Sequence, residues 1–267
     1  MKVLLTGANG NLGRELIRRS IFEFIKLDRS NVNDLENRLE EGVNVVIHAA
    51  SDLRTSASIS PVALFDSNVM LTARLLEGMR KFNTPRLIYI SSCAVYGDAE
   101  DTNESSRCCP VNTYGISKLL NEKFIEEFCE RNNIKFEIVR VFNIYGGNDN
   151  FSFFSYVKNA ILNGKTITLN NGGSSQRDFI HIEDVASILL RLLEMEVPYT
   201  HLNIGTGVAV RISTLMDLIR EKYSNIQVLN SQTREVEYSR ADNSRLLNLI
   251  SYDFIRVEDF TKNLFLK

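Results

Sequence analysis

Tyr114 and Lys118, in the run Tyr114-Gly115-Ile116-Ser117-Lys118, lie four residues apart at the start of a stretch with helical spacing, so both fall on one helix face. A phenol titrates near pH 10 and is a poor base at neutral pH. A neighbouring ammonium favours the phenolate and brings proton transfer toward the working range. The spacing is cheap by itself, since a chain of this composition gives roughly 0.4 such matches by chance. Its context adds weight. The strand-like run Arg86-Leu87-Ile88-Tyr89-Ile90-Ser91-Ser92 ends in hydroxyls, and doubly wound sheets take ligands outside the carboxyl ends of their strands. Ser92 and Tyr114 are therefore expected to meet over one substrate.

A second pattern handles charge. Thr6-Gly7-Ala8-Asn9-Gly10-Asn11-Leu12-Gly13 follows the apolar Val3-Leu4-Leu5 and opens into Arg14-Glu15-Leu16-Ile17-Arg18. A strand, a glycine-rich turn and a helix start gather backbone N–H groups and the positive end of a helix dipole at one point, which suits a phosphate. Gly7 turns the chain off the strand, Gly10 leaves room for a pyrophosphate, and Gly13 permits close helix packing. An ordinary tight strand-to-helix turn is the plainer reading of the same glycines. At the end of the next strand, Asp28 would accept a ribose diol and repel a 2′-phosphate, while Arg29 would attract that phosphate. Asp28 is nearer the strand end, so NAD is expected, with NADP as the alternative.

The elements that must position these groups are legible as alternation. Apolar runs Val3 to Leu5, Phe22 to Leu27, Val43 to Ala50, Leu87 to Ser91 and Phe136 to Phe142 are separated by helix-period segments. The expected fold is α/β, a Rossmann-type doubly wound parallel sheet with a smaller, interleaved C-terminal substrate domain. Residues 1–146 and about 179–206 are assigned to the first domain, and about 147–178 and 207–267 to the second. A net charge of -2 gives no footprint for nucleic acid or an anionic membrane surface. The amino-terminal residues lack the pattern of a signal peptide and no apolar run reaches spanning length, so a cytoplasmic location is expected. Three scattered histidines and four cysteines without C-x-x-C spacing predict neither a metal site nor a disulfide framework.

The glycine run, Ser91-Ser92-Cys93-Ala94-Val95-Tyr96-Gly97, Tyr114-x-x-x-Lys118, Arg140-Val141-Phe142-Asn143-Ile144-Tyr145-Gly146 and Gln176-Arg177-Asp178-Phe179-Ile180-His181-Ile182-Glu183-Asp184-Val185-Ala186 together resemble the extended short-chain dehydrogenase/reductases. More narrowly, they look like the NAD-dependent epimerase/dehydratase family acting on nucleotide sugars. The resemblance implies that Tyr114 is the general acid/base, that Lys118 holds the cofactor ribose, and that Ser92 hydrogen-bonds the reacting oxygen. It places Ala49, Ala50 and Asn68 along the cofactor. Asn143 and Arg177 match substrate contacts, the arginine suiting a nucleotide diphosphate, with Arg234 a second candidate. Asn33 or Asp34 is the candidate adenine contact. A homodimer through helices Ala63 to Phe82 and Tyr114 to Asn132 is also implied.

Departures narrow the reaction. Dehydratases of this family carry an acidic pair after the catalytic Ser or Thr, where Cys93 and Ala94 stand here. Cys93 adjoins Ser92, one position short of the reactive cysteine in the epimerase-reductases that make GDP-fucose, and is read as a packing residue. The expected activity is hydride transfer at C4 of a nucleotide-linked hexose, with 4-epimerase ranked first and an NAD(P)H-dependent 4-ketoreductase second. A dinucleotide sensor without turnover is the reading from another class.

Overall fold

The computed structural model describes residues 1–40, 42–54 and 59–264. Its strands are β1 (Lys2–Thr6), β2 (Glu23–Leu27), β3 (Val45–His48), β4 (Arg86–Ser92), β5 (Ala99–Thr102), β6 (Lys135–Val141), β7 (Asn143–Tyr145), β8 (Ile167–Asn170), β9 (Gln176–His181), β10 (His201–Ile204), β11 (Ala209–Arg211), β12 (Val228–Ser231) and β13 (Tyr238–Ala241). The helices are α1 (Asn11–Arg19), α2 (Leu35–Glu40), α3 (Pro61–Phe65), α4 (Leu71–Lys81), α5 (Thr113–Asn132), α6 (Phe153–Leu162), α7 (Ile182–Leu193), α8 (Ile212–Lys222), α9 (Ser244–Leu249) and α10 (Val257–Lys262).

Two compact units emerge. The first comprises Met1–Gly97, Arg107–Val141 and Ala186–Leu202, and the second Asp98–Ser106, Phe142–Val185 and Asn203–Lys267. The expected boundaries ran elsewhere: residues 98–106, 142–146, 179–185 and 203–206 belong with the second unit. Pairing gives the reason. β5 runs beside β13 and β7 beside β9, so short strands that look like continuations of the first domain hydrogen-bond into the second sheet.

The first unit is organised by a six-stranded sheet in the order β10-β6-β4-β3-β1-β2. The pairs β2 with β1, β1 with β3, β3 with β4 and β4 with β6 are all parallel. The chain goes from β1 outward to β2, then returns past β1 to β3. A switch point therefore opens between the carboxyl ends of β1 and β3. Side chains alternate across the sheet. Leu4, Val46, Leu87, Tyr89, Phe136 and Ile138 join Leu39, Leu75, Met79, Ile125 and Phe128 in one core. Val3, Leu5, Val45, Ile47 and Ile88, out of phase with these, are also fully or almost fully buried.

One helix departs from the expected continuous 63–82 segment. Between α3 and α4 the chain makes a π-helical turn, Asp66–Met70. A widened turn drops the regular i to i+4 bonding and frees a carbonyl. Here Asn68 O accepts the Thr72 hydroxyl at 2.7 Å and the Asn121 side-chain amide at 3.0 Å. The segment to either side remains helical, so the periodicity was sound and the interruption invisible in it.

In the second unit, β11-β9-β13-β5 form one sheet, β7 pairs with β9, and β12 pairs with β8. Tyr145, Phe154, Val157, Ile167, Phe179, Leu215, Ile219 and Val257 supply its core. Phe154 packs edge-on against Phe179 at 5.4 Å.

Candidate active site

The glycine loop lies at the switch point. Gly7 has φ +72, and a Cβ there would meet Ala50 N at 2.8 Å and the carbonyl carbon of Ala49 at 2.9 Å. Gly7 thus serves both the turn and the approach of the β1 loop to the β3 loop. Gly13 packs against the loop itself, since its Cβ would lie 2.2 Å from Gly7 O. Gly10 is different: among the described residues its Cβ would have one near neighbour, Gly7 O at 3.0 Å. Asn11, Leu12 and Gly13 form the first turn of α1, which has neither a side-chain cap nor an acidic residue. That leaves the dipole's positive end without a carboxylate from its own first turn.

Supporting groups lock this corner. Thr6 Oγ1 accepts from Ala50 N at 3.1 Å and lies 2.7 Å from His48 Nδ1, while His48 Nε2 is 2.9 Å from Thr72 Oγ1. Burial, with a smaller contribution from the Lys118 charge, pushes His48 down to about 3, so its imidazole is a neutral brace at ordinary pH. Ser51 Oγ is buried without a hydrogen-bond partner among the described residues. A buried hydroxyl left over beside a glycine cradle fits a polar ligand.

The two adenosine-side candidates point apart. Asp28 accepts Ser30 N at 2.7 Å and Ser30 Oγ at 2.6 Å, and also the side-chain amide of Asn9 from the glycine loop. Those Ser30 hydrogen bonds hold its carboxyl below the usual range. Arg29, with its side chain 82% exposed, reaches instead to Asp52 at 3.2 Å. Asp52 also binds Arg54 through two hydrogen bonds, 2.9 and 2.6 Å. Asp28 is therefore the group turned to the cradle, and the donor and acceptor set fits NAD. Asp34 ends an exposed 3-10 turn, Val32–Asp34.

Asn68 acts through the backbone of the β3 loop. Its Oδ1 accepts from Asp52 N at 2.7 Å and its Nδ2 donates to Asp52 O at 3.1 Å, with Ser117 Oγ at 3.4 Å. The π-turn places it there.

Ser92, Tyr114 and Lys118 come together at one end of α5. Asn112 caps α5 by accepting Gly115 N at 2.8 Å, so Tyr114 and Lys118 sit in its first two turns. Gly115 is required at that entry: a Cβ would lie 2.5 Å from Ala94 O. Ser92 Oγ accepts from Ala94 N at 3.2 Å and shares a side-chain hydrogen bond with Tyr114. Lys118 Nζ donates to Ile90 O at 2.7 Å and stands 5.8 Å from the Tyr114 ring centroid.

The electrostatics differ from the expected scheme. Burial holds the Tyr114 phenol well above its ordinary value, and the Ser92 hydrogen bond is what opposes it. Burial brings Lys118 down to about 7, with Glu122 pulling the other way. The site is thus a neutral phenol beside a lysine that titrates near neutrality. Sequence reasoning missed Thr6, His48, Asp52 and Asn121; of these only Thr6 carried a signal, by preceding the glycine run.

Asn143 and Arg177 belong to the second unit. Asn143 Nδ2 donates to Asp178 O at 2.8 Å. Arg177 donates to Gln176 O at 3.0 Å and to Val236 O, and its guanidinium is 4.0 Å from Glu235. Arg234 is exposed two residues before Val236. Asp178 organises the neighbourhood by accepting from Thr206 N, Gly207 N and Ala241 N at 2.9 to 3.1 Å. Among the described residues no group of His, Cys, Asp and Glu could hold a metal, and no helix is long and apolar enough to cross a membrane.

The sequence model of the NAD dependent epimerase/dehydratase family matches residues 3–205. A putative UDP-glucose 4-epimerase of Methanocaldococcus jannaschii is 28% identical over 251 residues, covering 82% of this chain and 82% of its own. Among solved structures, MoeE5 in complex with UDP-glucuronic acid and NAD superposes with a TM-score of 0.88 at 25% identity, covering 99% of this chain and 96% of its own. TunA, an NAD-dependent NDP-hexosamine 5,6-dehydratase of tunicamycin biosynthesis, gives 0.90 at 25% identity, with 98% and 96% covered.

Proposed function

Because this chain belongs to the NAD dependent epimerase/dehydratase family, we propose that it is an NAD-dependent nucleotide-sugar 4-epimerase. The observation that carries the reading is that Tyr114 and Lys118 stand one turn apart on α5, with Lys118 Nζ 5.8 Å from the Tyr114 ring and Ser92 close enough to act on the phenol. Ser92 orients the hexose C4 oxygen, and Tyr114, once deprotonated, takes the C4 hydroxyl proton as the hydride leaves and gives it back when the hydride returns. Lys118 binds the cofactor ribose. When bound, NAD supplies the hydride acceptor and donor. Gly7, Gly10 and the first turn of α1 hold its pyrophosphate, Asp28 its ribose diol, and Ala49, Ala50 and the Asn68-braced loop its flank. Asn143 orients the sugar, while Arg177 and Arg234 take the nucleotide diphosphate. Cys93 and Ala94 after Ser92 offer no acid for elimination, which weighs against dehydration.

Ile116, Leu120 and Phe124 are exposed at four-residue intervals on α5, and Val62, Phe65 and Met70 are exposed on α3 and the π-turn. We assign this apolar stripe to a homodimer. Phe124→Glu is expected to give a monomer by light scattering, and an unchanged mass would remove the assignment.

The deciding experiment is mass spectrometry of dinucleotide released on denaturation, with NMR of UDP-glucose and UDP-glucuronic acid incubated with the protein. Retained NAD and a C4-inverted product support the epimerase. An empty protein that consumes NADH or NADPH only with a 4-keto sugar overturns it in favour of a reductase.

A further inference from the structure

Behind the acid/base groups of the first unit lies a charge pair that proton transfer at Tyr114 does not itself require. Glu122 is one turn beyond Lys118 on α5 and is 0% exposed; Arg140, on β6, is 3% exposed. Arg140 donates to the Glu122 carboxylate through Nε at 3.1 Å and through its terminal nitrogen at 2.7 Å. Ser91 Oγ donates to the same carboxylate at 2.5 Å. The other arm of Arg140 donates to the Tyr96 hydroxyl at 3.0 Å, and its guanidinium carbon stands 4.9 Å from the Tyr96 ring centroid.

The placement is specific. Ser91 immediately precedes Ser92, and Tyr96 closes the 3-10 turn Cys93–Val95 that follows it. One ion pair therefore grips both ends of the segment bearing Ser92 and fastens it to the helix bearing Tyr114 and Lys118. A buried ion pair is a weak source of net stability, because desolvating two charges offsets most of their attraction. Its geometry points to another task.

We propose that Glu122 is a positioning residue: clamped by Arg140, its carboxylate ties the Ser92–Tyr96 segment to α5 and sets a negative charge one turn from Lys118, which stands beside Tyr114. This rests on the reading of Tyr114 and Lys118 as the acid/base and ribose-binding groups. The groups facing Lys118 are Tyr114 and Glu122 on its own helix, Tyr89 on β4 with its ring 4.9 Å away, and the neutral His48 on β3. Arg140 stands behind Glu122, with His201 and Glu126 farther along, 3.0 Å from each other. Among these, Glu122 is the nearby negative charge, and burial alone favours a neutral lysine.

The test is read first on the protein without substrate. Lysine labelled with carbon-13 at Cε, with Lys118→Arg as the assignment control, reports the Lys118 titration in wild type, Glu122→Gln, Glu122→Asp and the paired Glu122→Gln/Arg140→Met. The pair leaves no uncompensated buried charge, so it keeps the test alive should the single variant unfold. The Lys118 midpoint is expected to fall by about one pH unit or more in both glutamine variants and to recover in Glu122→Asp. The alkaline limb of kcat should move down in parallel, with KM for the nucleotide sugar within about twofold. A Lys118 titration that stays in place in a folded glutamine variant overturns the proposal. Wild-type protein that turns over no nucleotide sugar, yet shows the shift, defeats the functional reading and leaves the positioning role standing.

Discussion

The proposed acid/base groups of the first unit and the arginine-bearing strand of the second are anchored by opposite means. Tyr114 and Lys118 ride on a capped twenty-residue helix, and the buried Lys118 ammonium is held by the Ile90 carbonyl. Arg177 lies on a six-residue strand and donates to backbone carbonyls of its own residue pair and of a separate segment, Val236. The first arrangement suits chemistry, where sub-ångström placement decides rate. The second suits recognition, where a guanidinium trades a carbonyl for a diphosphate oxygen at little cost to the fold.

The sharpest way to break that contrast is Tyr114→Phe. Loss of the phenolic hydroxyl should lower turnover by about 10³-fold or more, the upper part of the range for a positioned acid/base group. NAD affinity by calorimetry should stay within about twofold, and the melting temperature should hardly move. Turnover near wild type would mean that the proton moves elsewhere.

Gly10→Val comes next. Among the described residues its Cβ would meet Gly7 O at 3.0 Å, so the loop must give by a few tenths of an ångström, far less than at Gly7 or Gly13, while the side chain fills the ligand surface. Dinucleotide binding should weaken by about 100-fold, some 2.7 kcal/mol, with folding retained. Gly7→Val gives the contrasting failure, because it drives Ala50 backbone apart at a positive φ and should lower thermal stability itself. Equal melting temperatures for the two variants would show that the two glycines have the same role.

Arg177→Met tests the recognition side. It should raise KM for a nucleotide sugar by about 10- to 100-fold, as loss of a charge-assisted contact does, with kcat changed far less. A kcat effect as large as that of Tyr114→Phe would erase the distinction between the two regions.

The same contrast explains what could be read from the chain. β1, the glycine turn and α1 are contiguous, so spacing located them, and Tyr114 with Lys118 needed only a helical period. The widened turn at Asp66–Met70 leaves no such mark, since it changes bonding without changing the apolar rhythm. Asp52, His48 and Asn121 act through partners 16 to 53 residues away. No local pattern encodes those partners. The compact units divide differently from the expected boundaries for a related reason: β5 and β7 are four and three residues long, and only their distant pairing assigns them to the second sheet.

The smallest expected effect concerns the paired residues at the end of β2. Sequence left Asp28 and Arg29 in competition, whereas the structure turns Asp28 to Asn9 of the glycine loop and Arg29 to Asp52. A highly exposed arginine sharing one carboxylate with Arg54 gains little from either interaction, since solvent screens it. Arg29→Ala should therefore leave NAD affinity within about twofold. Asp28→Ala removes the acceptor for the ribose diol and should cost NAD about tenfold, near 1.4 kcal/mol, while NADP affinity holds or improves. Calorimetric titration of both dinucleotides into both variants decides it. If Arg29→Ala loses NAD and Asp28→Ala does not, the dinucleotide enters on the arginine side, and the cofactor preference inverts with it.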